Sequence, residues 1–169
     1  MLHSITTYHL DMIKMNNVSK KLSAYSEDDL SAFSFLSPDD LKKVAPFFQY
    51  KKFPSKKILW KEGDPCDYMA FIVSGRVKIK KKTKLKGNQV VLGIHGKGAY
   101  IGALGILDNS PRAVTAQAMG NVSVVLISQK DFDMLSKKHP DLGAALMKGM
   151  FVAVSKRLKS SFNRLVAVF

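Results

Sequence analysis

The sequence has a single cysteine, Cys66, which excludes an internal disulfide framework and suits a reducing compartment. It has no run of about 18 apolar residues, the length needed to span a bilayer. Its first residues, MLHSITTYHLDMIK, lack the basic opening and long apolar block of a secretory signal. These absences predict a cytoplasmic protein with no membrane span. Catalytic signatures are missing as well. His3, His9, His95 and His139 are scattered, and there is no HExxH pair, no Cys-x-x-Cys and no serine nucleophile elbow. The stretch His95-Gly96-Lys97-Gly98 lacks the spacing and the following Ser or Thr of a nucleotide phosphate loop, so it reads as a structural turn. No enzyme, no metal and no resident cofactor is expected.

Acidic residues are scarce: 13 Asp and Glu face 27 Lys and Arg, for a formal charge of +14. Such a surface attracts anions, whether nucleotide, nucleic acid or acidic headgroup, and charge alone does not choose among them. The lysines come in spread pairs, with one dense run, KIKKKTKLK from Lys78 to Lys86, which reads as a solvated basic hairpin.

What the chain does have is enough apolar material, 46%, to fill the core of one domain of ordinary size. No repeat and no Gly/Ser-rich linker divides it. Three regions are expected: an N-terminal helical segment over 1–46, a β domain over 47–128, and C-terminal helices over 129–169. Residues 1 to about 25 carry Leu2, Ile5, Met12 and Ile13 at spacings that suit an amphipathic helix. Two short helices follow up to about 46. Their starts are Ser26 before EDDL, and Ser37 before Pro38, Asp39 and Asp40, where a serine cap, an early proline and acidic residues suit the positive helix end.

From Phe47 the texture changes to short segments rich in Ile, Val, Phe and Tyr, cut by glycine-containing turns. That pattern predicts antiparallel strands near 48–53, 57–62, 68–73, 75–82, 88–94, 113–118 and 122–127. Alternation in Arg76-Val77-Lys78-Ile79-Lys80 points Val77 and Ile79 inward. After Ser128 a capped short helix is expected, and Pro140 opens a long one. Met147, Phe151, Val154, Leu158, Phe162, Leu165 and Phe169 then recur at helical steps. A helix from about 141 to 169 would be roughly 43 Å long, more than a small β domain needs for cover. Part of its stripe, with the apolar end Leu165 to Phe169, predicts a homodimer through this helix. Gly143 and Gly149 inside it signal either a flexible start or a close contact.

One stretch carries the functional reading: Ile101 to Ala116, IGALGILDNSPRAVTA. A glycine turn enters a single helical turn, whose free backbone N–H groups favour an anion. Asp108-Asn109-Ser110-Pro111 reverses the chain, and Arg112 follows with a planar guanidinium suited to phosphate.

In its frame, Ile101-Gly102-Ala103-Leu104-Gly105-Ile106 and then Pro111-Arg112-Ala113, this stretch resembles the phosphate-binding cassette of the cyclic-nucleotide-binding domain family. Glu62-Gly63-Asp64 and Phe71-Ile72-Val73-Ser74-Gly75-Arg76-Val77 resemble the family's turn glycines and intervening strand. The resemblance runs from about Phe47 to Leu158. It implies a mainly β fold with helical flanks: an eight-stranded antiparallel β-roll, jelly-roll-like, with N-terminal helices and a long C-terminal helix. It further implies a cassette at 98–116 in which Arg112 pairs with a cyclic phosphate and Gly102 and Leu104 offer backbone N–H groups. Met150, Phe151, Val154 and Leu158 are then candidates to cap the base. Ala113 offers no hydroxyl to guanine, which favours cAMP over cGMP as ligand. One departure stands out: Ala103 occupies the place of the family's glutamate, which accepts from the ribose 2'-hydroxyl.

Two functions therefore fit. One is a regulatory module whose ligand shifts the last helix. The other is a roll that has abandoned its ligand and serves as a dimerisation or interaction module for an unknown protein effector or, through its basic faces, nucleic acid. No helix-turn-helix follows the long helix, so DNA reading by that route is not expected of this chain.

Overall fold

The computed structural model describes residues 18–22, 32–83 and 88–166. Residues 18–22 are helical (α1); the remainder of the expected N-terminal helix, and the helix start at Ser26, lie outside the described residues. Residues 32–36 form a turn rather than a helix. The second expected start is there. α2, Pro38–Val44, is opened by a capping box in which Ser37 Oγ accepts from Asp40 N–H and the Asp40 carboxylate accepts from Ser37 N–H. A 3-10 turn, Ala45–Phe47, then leads into the sheet.

Among the described residues six strands follow: β1 Gln49–Phe53, β2 Ile58–Trp60, β3 Tyr68–Lys82, β4 Gln89–His95, β5 Tyr100–Ile101 and β6 Thr115–Ser128. α3, Leu104–Asp108, stands between β5 and β6, and α4, Gln129–Lys138, and α5, Pro140–Val166, close the chain. Every pairing is antiparallel. β6 is the hub, bonded to β1, β2 and β3, while β3 also carries β4 and β5.

The sequence predicts turns at Ser74-Gly75 and Gly120-Asn121, but there β3 and β6 run through. The β3–β6 register shifts between Ile72 and Arg76. Gly75 sits at φ +82°, where an added Cβ would meet the Asn121 carbonyl and Val122. A glycine with positive φ can serve a bulge as well as a hairpin, and here it bends two long strands around each other. Counting the two limbs of β3 and of β6 separately recovers the eight strands of the expected roll.

Two cores result. One lies inside the roll and includes Ile72, Val77, Ile79, Ile101, Val124 and Trp60, so Val77 and Ile79 do point inward. The other joins the roll to the helices through Phe33, Phe48, Phe71, Leu135 and Leu146, with the Phe33 and Phe71 rings 4.8 Å apart. Gly149 is a close contact: a Cβ there would strike the Ala32 backbone. Among the described residues two runs of large apolar side chains remain exposed. One is the α5 stripe Met147, Phe151, Val154, Leu158, Phe162 and Val166. The other, which the sequence reading does not foresee, is Val90, Val91, Leu92 and Ile94 on edge strand β4. Among the described residues no helix is long and apolar enough to cross a membrane.

Candidate functional site

The cassette is built by hydrogen bonds between segments far apart in sequence. Gly63 N–H donates to the Arg112 carbonyl and Arg112 N–H donates to the Asp64 carbonyl, both at 2.8 Å, so the Glu62-Gly63-Asp64 turn holds Arg112 from both sides. Glu62 itself is structural. Its carboxylate accepts from Lys82 N–H at 2.9 Å and from Lys81 Nζ at 3.1 Å, which holds it below the usual carboxylate range. On the other flank, β5 ends at Ile101, Gly102 turns at φ +79°, and Ala103 precedes α3 without a side-chain cap. Asn109 in the left-handed region ends α3, and Asp108 Oδ1 accepts from Ser110 N–H at 3.0 Å to shape the return to Arg112.

Arg112 is buried, its side chain only 1% exposed. Its guanidinium lies between two aromatic faces, 4.1 Å from the Trp60 ring centroid and 4.6 Å from that of Tyr68. Nη1 donates to the Gly102 carbonyl at 3.3 Å. Nη2 is 3.5 Å from Asp67 Oδ1, close enough for charge attraction but without hydrogen-bond geometry. That carboxylate is 76% exposed, so water screens its pull. Among the described residues three buried side-chain donors lack a partner: Arg112 Nε, Arg112 Nη2 and Trp60 Nε1. Burying a cation costs several kcal/mol, and a cation–π contact returns about 1–2. The one carboxylate facing this cation among the described residues is exposed, and two of the guanidinium nitrogens are left without a hydrogen-bond acceptor.

Two adjoining cavities share Trp60, Gly102, Ala103 and Val114 in their walls. The smaller, about 80 Å³, is lined also by Cys66, Arg112 and Ala113. The larger, about 360 Å³, is apolar and is lined by Tyr100, Met150, Phe151, Val154 and Arg157, among others. Of the residues singled out in the sequence, Gly102, Ala103, Arg112 and Ala113 thus meet at the small cell. Met150, Phe151 and Val154 meet at the large one. Arg112 does not line the large chamber, and Leu158 lines neither: it is 54% exposed on the outer stripe of α5. Leu104 opens α3. Gly102 admits no side chain, because a Cβ there would collide with Arg112 Nη1 and stand 3.1 Å from the Trp60 ring.

Cys66 is half-buried in the small cell, donates from Sγ to the Gly102 carbonyl at 3.4 Å, and has its thiol pKa pushed up chiefly by burial. Three residues escaped the sequence reading: Trp60, Tyr68 and Arg157. Trp60 carried one signal, as the sole tryptophan, two residues before the Glu62 turn. The cassette is tied to α5 twice. Tyr100 Oη donates to the Met150 carbonyl at 2.6 Å, and Arg157 Nη2 donates to the Tyr100 carbonyl at 3.4 Å.

Comparison with known proteins agrees with this architecture. A family model described as the cyclic nucleotide-binding domain matches residues 50–139, which include β1 through the cassette to α4. The chain is 28% identical over 116 residues to a cyclic nucleotide-gated potassium channel of Mesorhizobium japonicum, covering 69% of this chain and 30% of that one. It is 25% identical over 108 residues to the cyclic AMP receptor protein of Thermus thermophilus, covering 64% of this chain and 50% of that one. It therefore spans half or less of the length of these curated relatives. A solved cyclic nucleotide-binding domain from Methylobacillus flagellatus superposes with a TM-score of 0.73 at 25% identity, covering 79% of this chain and 75% of that one. With the family model spanning more than half of its residues, the chain belongs to the cyclic nucleotide-binding domain family.

Proposed function

We propose that this chain is a non-catalytic, cytoplasmic regulatory module that binds a cyclic nucleotide, cAMP in preference to cGMP, and couples its occupancy to the position of α5. The observation that carries the reading is the trio of unpartnered buried donors, Arg112 Nε, Arg112 Nη2 and Trp60 Nε1. An anionic phosphate in the small cell supplies the missing acceptors. The purine then lies in the adjoining apolar chamber against Met150, Phe151 and Val154. Preference for adenine rests on Ala113, which has no hydroxyl for the guanine amino group. Coupling follows from the two ties between Tyr100 and α5: ligand moves the helix to the extent that it binds one helix position better than the other. Calorimetric titration of cAMP and cGMP tests this, after a denatured sample has been checked for retained nucleotide. Saturable cAMP binding is expected, weaker for cGMP and abolished by Arg112→Ala. Folded, nucleotide-free protein that binds neither would leave the interaction-module reading, which Ala103 and the +14 charge favour.

The exposed α5 stripe supports assembly with a second copy. Phe151 is 71% and Phe162 56% exposed, at helical spacing along one face, and two such stripes bury each other in a helix pair. Replacing both Leu158 and Phe162 with lysine is expected to convert a dimer to a monomer at micromolar concentration, read by light scattering. A wild type already monomeric there would exclude this interface.

A further inference from the structure

One lysine of the basic run departs from the solvated reading. The β3 pleat gives Lys81 the parity of Val77 and Ile79, whose side chains lie inside the roll. Near the end of the strand its side chain reaches the cassette instead of the core. Lys81 Nζ donates to the Ala113 carbonyl at 2.8 Å and to Glu62 Oε1 at 3.1 Å. The same carboxylate accepts from Lys82 N–H at 2.9 Å, so the ammonium group is held by an acid that is itself anchored on β3.

The place of this contact explains its use. The β3–β6 ladder ends at the pair Lys80 and Thr115, where β6 begins. Arg112, Ala113 and Val114 lie beyond it, and other groups hold this stretch. Gly63 and Asp64 bond the Arg112 backbone, Glu62 N–H donates to the buried Thr115 Oγ1 at 3.0 Å, and Lys81 takes the Ala113 carbonyl between them. With the Arg112 carbonyl held by Gly63 and the Ala113 carbonyl by Lys81, both peptide planes of Ala113 are fixed, and with them the path of the chain out of Arg112. The Lys81–Glu62 pair adds little stability, because the two side chains are 47% and 22% exposed. What it supplies is position.

We propose that Lys81 is a positioning residue of the anion cell: its bond to the Ala113 carbonyl sets the Arg112 guanidinium for the phosphate, and so couples the basic end of β3 to nucleotide binding. The inference deepens the cyclic-nucleotide reading and rests on it. Lys81 lines neither cavity of the site, and therefore acts through Arg112.

Two readouts test this. One is calorimetric titration of cAMP. The other is acrylamide quenching of Trp60, the sole tryptophan, which packs on the Arg112 guanidinium and reports on the cell with or without nucleotide. Lys81→Met should weaken cAMP binding about tenfold, the loss of one charged hydrogen bond, and should make Trp60 easier to quench. Its melting temperature should fall by no more than about 4 °C, since a half-exposed ion pair contributes little. Lys81→Arg, which can still donate to both acceptors, should restore affinity and quenching to near wild type. Lys80→Met removes the same charge from a residue of opposite parity and should stay within about twofold of wild type, because charge alone acts through screened solvent. Equal weakening in Lys80→Met would mean general attraction of anions. Weaker binding with unchanged quenching would mean that Lys81 meets the ligand rather than positions Arg112. Either result, or a Lys81→Met variant unchanged in both readouts, overturns the proposal. A wild type that binds no cyclic nucleotide would sink the functional reading instead; the quenching comparison of Lys81→Met with Lys81→Arg then still decides whether Lys81 positions Arg112.

Discussion

Replacing Ala103 with glutamate is expected to raise affinity for cAMP by roughly ten- to a hundred-fold, and to leave affinity for 2'-deoxy-cAMP nearly unchanged. Ala103 lies in the wall shared by the small cell and the apolar chamber, where the ribose of a ligand bridging the two must lie. Its methyl group accepts no hydrogen bond. A carboxylate at this point does, and a hydrogen bond to a charged group is worth about 1.5–3 kcal/mol, which sets the expected range. One effect opposes the gain: an unliganded glutamate could turn toward Arg112, whose Nη2 lacks a hydrogen bond, and ligand would then have to displace it. The wild type provides the complementary reading. With alanine here, cAMP and 2'-deoxy-cAMP should bind within about twofold of each other. A wild-type preference of tenfold or more for the ribonucleotide would show that another acceptor reads the 2'-hydroxyl and that the sugar does not lie against Ala103. Titration of both nucleotides into both proteins decides the matter.

What could be read from the sequence was local chemistry. Ser37 with Pro38 and Asp40 predicted a capped helix, Ser128 with Asp131 closes a second cap at 3.0 Å, and alternation placed Val77 and Ile79 inside. These depend on residues within one turn or one pleat of each other. The anion cell was half-legible. Arg112 stands out by its place after a turn, but its surroundings come from β2, the Glu62 turn and the start of β3: the β2–β6 register sets Trp60 beside Ala116, and the β3–β5 register, Ala70 opposite Ile101, sets the start of β3 with Tyr68 beside the Gly102 turn. The fusion of expected strands across Gly75 and Gly120 has the same origin, since whether a glycine turns or bulges is decided by the partner strand. Arg157 was missed for a different reason. The periodicity of the last helix marks only its apolar stripe, whereas Arg157 lies on another face of the helix, which lines a cavity. The exposure of Val90 to Ile94 depends on β4 being the edge of the sheet, a property of topology rather than of the strand's own residues.

Gly149→Ala should destabilise the fold by about 2 kcal/mol, although the same change in an isolated helix is stabilising. Alanine gains about 1 kcal/mol of helix propensity over glycine. At Gly149 that gain is overtaken by collision: the new Cβ meets the carbonyl oxygen, carbonyl carbon and Cα of Ala32, itself fully buried. These are backbone atoms, with no rotamer to swing aside, so overpacking toward the upper end of its usual range of about 1–3 kcal/mol is expected. For a domain of this size the melting temperature should fall by about 4–8 °C. Gly143→Ala is the internal control. Its nearest neighbour is Ser136 Oγ at 2.9 Å, a side chain that can rotate, with Ser136 Cα at 3.1 Å; stability should stay within about 1 kcal/mol of wild type. The functional consequence follows from position. Gly149 adjoins Met150, whose carbonyl accepts from Tyr100, and the next turn carries Val154 and Arg157 over the apolar chamber. If α5 must lift from Ala32 to admit the methyl group, the chamber wall moves with it and cAMP should bind more weakly in Gly149→Ala at temperatures where the protein is folded. Loss of stability with unchanged affinity would show that the seat of α5 on residue 32 and its cover over the chamber are independent; loss of both would identify this backbone contact as the fulcrum on which ligand moves the helix.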